Sequence, residues 1–127
     1  MFNPQITNNM NTESIIIEEG RVILRPQAGE LWLTQHQIAD IFGVFVSAVG
    51  SNIRSIINSG VLQEDEVCRR QDNADGSVMT LYNLELITAL AFRLKSRQTQ
   101  YFRRWIIDQA LHPVILWKIP GMETMLN

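Results

Sequence analysis

Hydrophobic and polar residues follow short β-type periods at the start of the chain. Two such runs, residues 14–18 and 22–25, flank Glu19-Gly20 and predict a hairpin. A further short strand is expected over residues 31–33. The first twelve residues are polar, rich in Asn and without periodicity, so they predict a loose tail.

The pattern then changes to a helical period. Thr34 and Gln37 have the spacing of a capping box, which predicts a helix over residues 35–42 that ends at Gly43. A second helix is expected from residue 46 or 47 to residue 59.

The second half of the chain predicts another hairpin followed by two helices. The expected elements are a strand over 67–71, a turn over 72–76, a strand over 78–82, a helix over 84–95 capped by Asn83, a break at 97–99 and a helix over about 98–112 ended by Pro113. Together they predict one α+β domain over residues 13–119. Its fold class is a winged-helix-like helix-turn-helix with short β-hairpins and two C-terminal amphipathic helices, followed by a tail over 120–127.

The helix pair at residues 35–59 is typical of a helix-turn-helix. Ala39 suits a close helix crossing, Gly43 suits a turn that needs positive φ, and Val49 returns between the helices. One face of the second helix is expected to be core: Phe45, Val46, Ile53, Ile56 and Ile57. The opposite face carries the predicted DNA contacts Ser47, Ser51, Arg54, Ser55 and Asn58.

Composition bounds the class of protein. The 127 residues are 46% hydrophobic and 19% charged, which is ordinary for a globular domain. No apolar run approaches the about 18 residues of a membrane span, and the first residues lack signal-peptide regions. Cys68 is the only cysteine, so we expect a cytoplasmic protein without an internal disulfide.

Charge is distributed unevenly along a chain whose net charge is −2. The two C-terminal helices meet at a basic junction without acidic residues: Arg93, Lys95, Arg97, Arg103 and Arg104. This junction predicts phosphate binding, because local field attracts a polyanion whatever the mean charge. The alternative is a solvated face paired with Glu85 or Asp108. Phe102 and Trp105 are expected in the core.

Candidate catalytic groups are few. His36 and His112 lie on different elements, Cys68 is expected to be a small core residue, and residues 64–66 are expected to be a solvated acidic loop. There is no zinc-type Cys/His spacing and no Gly-rich phosphate loop. The sequence therefore predicts no enzyme activity, no cofactor and no metal.

Several segments together resemble the virulence-protein RhuM family: residues 31–35, 37–44, 67–68, 75–76, 82–84 and 100–105. Residues 79–115 are also similar to the end of a Bro-N domain, the antirepressor-type DNA-binding module of phages and viruses. The resemblance implies a regulator from a bacterial prophage or mobile element that binds double-stranded DNA. Family members are longer, so this chain would correspond to their N-terminal part.

The chain departs from that family at the second helix. Relatives carry a pattern such as Asp-Arg-Ser-Thr-Ile-Ser-Arg-His-Ile where residues 45–53 read Phe-Val-Ser-Ala-Val-Gly-Ser-Asn-Ile, and Gly50 is expected to weaken the helix. The alternative function is therefore a protein-interaction or oligomerisation module that has lost sequence-specific readout. It would bind a protein or a second copy through this face or through Val114 and Trp117 of the apolar run 114–119, which can equally dock on the chain's own core or on a C-terminal domain.

Overall fold

The computed structural model describes residues 14–26 and 29–112. The elements in chain order are β1 (Ile15–Glu18), β2 (Arg21–Leu24), β3 (Trp32–Leu33), α1 (Gln35–Phe42), α2 (Val46–Ser59), α3 (Glu64–Val67), β4 (Cys68–Asp72), β5 (Val78–Asn83), α4 (Leu84–Ala91) and α5 (Arg97–Leu111). This confirms a mixed α+β fold.

The first hairpin forms as predicted. β1 and β2 pair antiparallel from Ile15 opposite Leu24 to Glu18 opposite Arg21. Glu19 and Gly20 make the turn with φ values of 46° and 83°. Glycine adopts positive φ without steric cost, which suits the position of Gly20.

A second sheet links the two halves of the chain. Its strand order is β3-β5-β4, with Trp32 opposite Asn83 and Cys68 opposite Tyr82. The strand before α1 thus pairs with the second strand of the hairpin that follows α2. At the hairpin tip, the backbone N–H and hydroxyl of Ser77 donate to Asp75 Oδ1 at 2.9 and 2.6 Å, which lowers the pKa of that carboxyl.

The core lies between the helices and both sheets. The fully buried side chains include Phe42 of α1, Val49 and Ile56 of α2, and Phe102 of α5. Phe42 and Phe102 meet edge to face with ring centroids 5.5 Å apart. Phe102 is fully buried, and Trp105 is half-buried beside it. Of the two aromatic residues predicted in the core, Phe102 lies inside it and Trp105 packs against it.

The main differences from the predicted boundaries lie in the second half of the chain. The acidic residues 64–66 are not a loop, because they open the one-turn helix α3, so β4 begins at Cys68 instead of Val67. Helix α4 ends at Ala91 instead of Lys95, since Leu94 turns back into the core with 6% exposure.

The break between the last two helices covers residues 92–96, before the predicted position. Ser96 causes this shift. Its hydroxyl oxygen accepts from the backbone N–H of Thr99, and the Thr99 hydroxyl oxygen accepts from the backbone N–H of Ser96. Such a reciprocal cap starts α5 at Arg97.

Phe45 corrects the predicted core face of α2. Its side chain is 80% exposed, whereas Ile53 and Ile56 of the same predicted face are buried. Phe45 is the N-cap residue of α2, and it therefore stands outside the helical period that the prediction applied to it.

Within the described residues, no single helix is long and apolar enough to cross a membrane. The bent pair α1 and α2 passes that test by length and composition only. The apolar run 114–119, with Val114 and Trp117, lies outside the described residues.

Candidate nucleic-acid interface

Helices α1 and α2 are joined by a tight turn at residues 43–45. Gly43 has φ 64°, and its N–H bonds to Ala39 and Asp40 carbonyl oxygens at the end of α1. The axes of the two helices are bent by 114°. Ala39 and Val49 are buried at 2% and 0% exposure, as their predicted packing roles require.

Gly50 lets a side chain from α1 reach the start of α2. Gln35 Nε2 donates to the Val46 carbonyl oxygen at 2.9 Å. A Cβ added to Gly50 would lie 2.5 Å from that same nitrogen. The absence of a side chain at Gly50 therefore leaves room for the hydrogen bond that joins the two helices. The sequence interpretation, which expected Gly50 only to weaken α2, missed this role.

The predicted polar face of α2 is exposed along its whole length. Ser47, Ser51, Arg54 and Asn58 recur at intervals of three or four residues, and Ser55 lies beside them. None of the five is buried. This face is available to a partner and carries one charge, that of Arg54.

The basic turn, residues 92–96, packs against α2 and against the turn that precedes it. Arg93 Nη1 donates to Ser55 Oγ of α2 at 2.8 Å. Lys95 shares a shallow cleft of about 440 Å³ with Phe45 and Ala48. Ser96 Oγ donates to the Phe42 carbonyl oxygen at 2.6 Å, which fixes the basic turn to the end of α1.

The remaining predicted phosphate contacts lie on α5. Arg97 and Arg104 are exposed and stand seven residues apart, which places them on one side of the helix. Among the described residues, the one ion pair joins Arg69 to Glu30 at 3.9 Å. Arg93, Lys95, Arg97 and Arg104 thus form no ion pair with Glu85, Asp108 or another described carboxylate.

Arg103 differs from the other predicted phosphate contacts. Its Nη1 donates to the carbonyl oxygens of Ala91 and Leu94 at 2.7 and 3.2 Å and to Thr99 Oγ1 at 3.2 Å. The half-buried guanidinium satisfies carbonyl groups that the end of α4 leaves free. This geometry gives Arg103 a structural role, and its predicted phosphate contact stays a prediction.

Two further cations on β4 were missed by the sequence interpretation. Arg69 lies 4.3 Å from the centroid of the Trp32 ring, and Trp32 Nε1 donates to Glu30 Oε1 at 2.7 Å. Arg70 is exposed on the same strand. The adjacent arginines in a predicted hairpin strand were the available signal, and Arg70 adds a cation on the hairpin that follows α2.

The nucleophile and base candidates lie on different elements: Cys68 on β4, His36 on α1 and His112 at the end of α5. Cys68 faces Tyr82 across the sheet, and burial, with Glu64 as a smaller cause, raises the pKa of the thiol. Burial, followed by Cys68 and Glu64, also raises the pKa of Tyr82. His36 is exposed on α1, and His112 is exposed at the end of α5. No group of three metal-ligating side chains occurs among residues 14–26 and 29–112.

No protein-family model, curated protein or solved structure matches this chain.

Proposed function

We propose that this chain is a DNA-binding regulatory module of the winged-helix-like helix-turn-helix kind, and not an enzyme. Helix α2 lies in the major groove, while the basic turn and α5 contact phosphates. In this proposal the chain is a phage- or mobile-element-derived member of the RhuM and Bro-N type, as its resemblance implies.

The order of elements supports the proposal. Helix pairs that read DNA cross at about 90–120° and are joined by a short turn that often contains glycine. Here the axes are bent by 114° and the turn contains Gly43. The hairpin β4–β5 follows α2 after the one-turn helix α3 and pairs back to β3, the strand before α1, and we assign it the role of the wing.

The hydrogen bond from Arg93 to Ser55 is the observation that carries the proposal. It joins the basic turn to the exposed face of α2, so a duplex against that face would lie beside the cation. Phosphate contacts position a protein on DNA, and base-edge contacts specify the sequence. The two kinds of group therefore adjoin each other on one surface.

Four side chains are assigned to phosphates: Arg93, Lys95, Arg97 and Arg104. Neutralising four phosphates gives a slope of log K against log salt of roughly −3.6. Arg54 and the polar side chains Ser47, Ser51, Ser55 and Asn58 are assigned to base edges and adjoining backbone. A single arginine on that face limits base discrimination to roughly 1–3 kcal/mol from a bidentate contact.

Titration of a random-sequence duplex between 50 and 200 mM salt tests this function. We expect affinity to fall about a hundredfold over that range. The variant Arg93→Ala/Lys95→Ala should have a slope smaller by about 2, because two phosphate contacts are lost.

Arg21→Ala is the matched control for a lost positive charge. Arg21 is exposed on the first hairpin, where Glu18 and Glu19 line the same cleft. Its removal should leave the slope unchanged. Absent or salt-independent binding would contradict the proposal and favour the alternative of a protein-interaction module.

A further inference from the structure

Phe45 is the most exposed aromatic side chain of the candidate interface among the described residues. It is 80% exposed at the N-cap position of α2. Its backbone carbonyl accepts from the N–H groups of Ala48 and Val49 at 3.0 and 3.2 Å, whereas its side chain makes no capping bond.

An aromatic residue at this position is unfavourable for the folded chain alone. Ser, Thr, Asp and Asn are preferred as N-caps, since their side chains accept from free N–H groups of the first turn. Phe45 leaves these groups without that acceptor and keeps a large apolar surface in water. A contact outside the chain would account for both costs.

The neighbours of Phe45 indicate the chemistry of that contact. Lys95 lines the same cleft, and Ser47 is exposed in the first turn of the helix. The residues that line the cleft include no carboxylate. An apolar side chain beside a cation suits a duplex, in which a base edge and a phosphate lie close together, better than it suits a purely apolar protein surface.

We propose that Phe45 contacts the C5-methyl group of a thymine in the major groove and so selects thymine at one position of the bound site. The inference rests on the proposed function, which places the start of α2 against base edges. Apolar contact with the thymine methyl group is the readout open to phenylalanine, because it has no hydrogen-bonding group in its side chain.

Replacing thymine by uracil removes that methyl group and leaves the hydrogen-bonding edge intact. A preferred duplex is first selected from randomised DNA by the full chain, and each thymine is then replaced singly. For the full chain, one replacement should weaken binding about fourfold, the ratio expected for burial of one methyl group. In Phe45→Ala the same replacement should have no effect.

Two variants separate this contact from folding and from general hydrophobicity. Phe45→Ser provides a favourable N-cap, so it should be at least as stable as the parent chain and should also lose the methyl effect. Phe92→Ala removes a different exposed aromatic side chain, that of the basic turn, and should retain the effect.

The outcomes distinguish the inference from the function on which it rests. Salt-steep duplex binding in which uracil replaces every thymine without loss overturns the inference alone. A methyl effect that persists in Phe45→Ala, or a change in oligomeric state as the sole consequence of that substitution, overturns it as well. Absence of binding to any duplex overturns both proposals.

Discussion

At the scale of single residues, Gly50 weakens helix α2 itself but allows a hydrogen bond between α1 and α2. Gly50 lowers the intrinsic stability of α2 by roughly 0.5–1 kcal/mol relative to alanine. The same missing Cβ leaves room for Gln35 to donate to the Val46 carbonyl oxygen. A part-buried hydrogen bond of this kind contributes about 1 kcal/mol, so the two effects are of similar size.

Gly50→Ala is therefore expected to bring no net stabilisation in the parent chain. In the Gln35→Ala background, where no amide occupies the space, the same change should stabilise the fold by roughly 0.5–1 kcal/mol. Urea denaturation of the four variants gives the coupling between the two positions. Equal effects of Gly50→Ala in both backgrounds would contradict the packing of Gln35 against Gly50.

The residue-scale predictions succeeded where a residue type has one strong conformational reason. Gly43 takes the expected positive φ, and Thr34 with Gln37 forms the expected capping box. The expectation for Phe45 failed because a helical period was applied to the N-cap residue, and the expectation for Gly50 was incomplete because sequence spacing does not show a partner on another helix. The position of Gln35, eleven residues before Val46, is set by the tertiary fold alone.

At the scale of elements, the junction between α4 and α5 joins the basic residues to the helix pair. Ser96 bonds both to the first turn of α5 and to the end of α1. Arg103 of α5 donates to the carbonyl oxygen of Ala91 at the end of α4 and to that of Leu94 in the basic turn. The basic turn is consequently held from both sides, which presents Arg93 and Lys95 in a defined place.

Neighbouring arginines on α5 should separate stability from binding. Arg103→Ala removes hydrogen bonds from a charged donor to the carbonyl groups of Ala91 and Leu94, and it should cost about 2 kcal/mol of unfolding free energy. Arg104→Ala should change stability by less than about 0.5 kcal/mol, because Arg104 is exposed.

In duplex titrations, Arg104→Ala should instead reduce the salt slope by about 1. Each variant loses one positive charge, so measuring the denaturation and the duplex binding of both compares the two arginines at an equal change of charge. If Arg103→Ala kept full stability and lost binding, Arg103 would be a phosphate ligand as the sequence predicted.

Element bounds were predictable where a cap is local and were less so where the chain turns back on itself. Helices α1 and α2 match their predicted ranges, since Gly43 and Gly60 end them. The end of α4 was placed too late, because helical spacing continues to Leu94 although that residue is buried through a turn. Side-chain bonds across 54 residues, such as Ser96 to Phe42, leave no local pattern.

At the scale of the whole molecule, a negative net charge coexists with a cationic surface. The net charge of −2 arises from carboxylates on other elements, including Glu64, Asp65 and Glu66 of α3. The clustering of the basic residues was predictable from their order in the chain alone. The juxtaposition of Arg93 and Lys95 with α2 depends on how the basic turn packs, which no sequence pattern specified.

The sheet that joins the two halves of the molecule sets how the stability of the whole domain responds to alkaline pH. Cys68 and Tyr82 face each other on β4 and β5, and burial raises both pKa values in the folded chain. Each group then binds its proton more tightly folded than unfolded, so the contribution to stability is complete below the unfolded pKa and is lost as pH rises toward the folded pKa.

We therefore expect the free energy of unfolding to begin to fall above about pH 8.5, where an unfolded thiol ionises, and to fall further above about pH 10, where an unfolded tyrosine does. Urea denaturation between pH 7 and pH 11 measures this slope. The variant Cys68→Ala/Tyr82→Phe lacks both titratable groups. Its free energy of unfolding should therefore fall less steeply with pH, even if it is lower at pH 7. An equally steep fall in that variant would mean that groups outside the β4–β5 pair cause the alkaline loss, and that the sheet does not protect these two protons in the folded state.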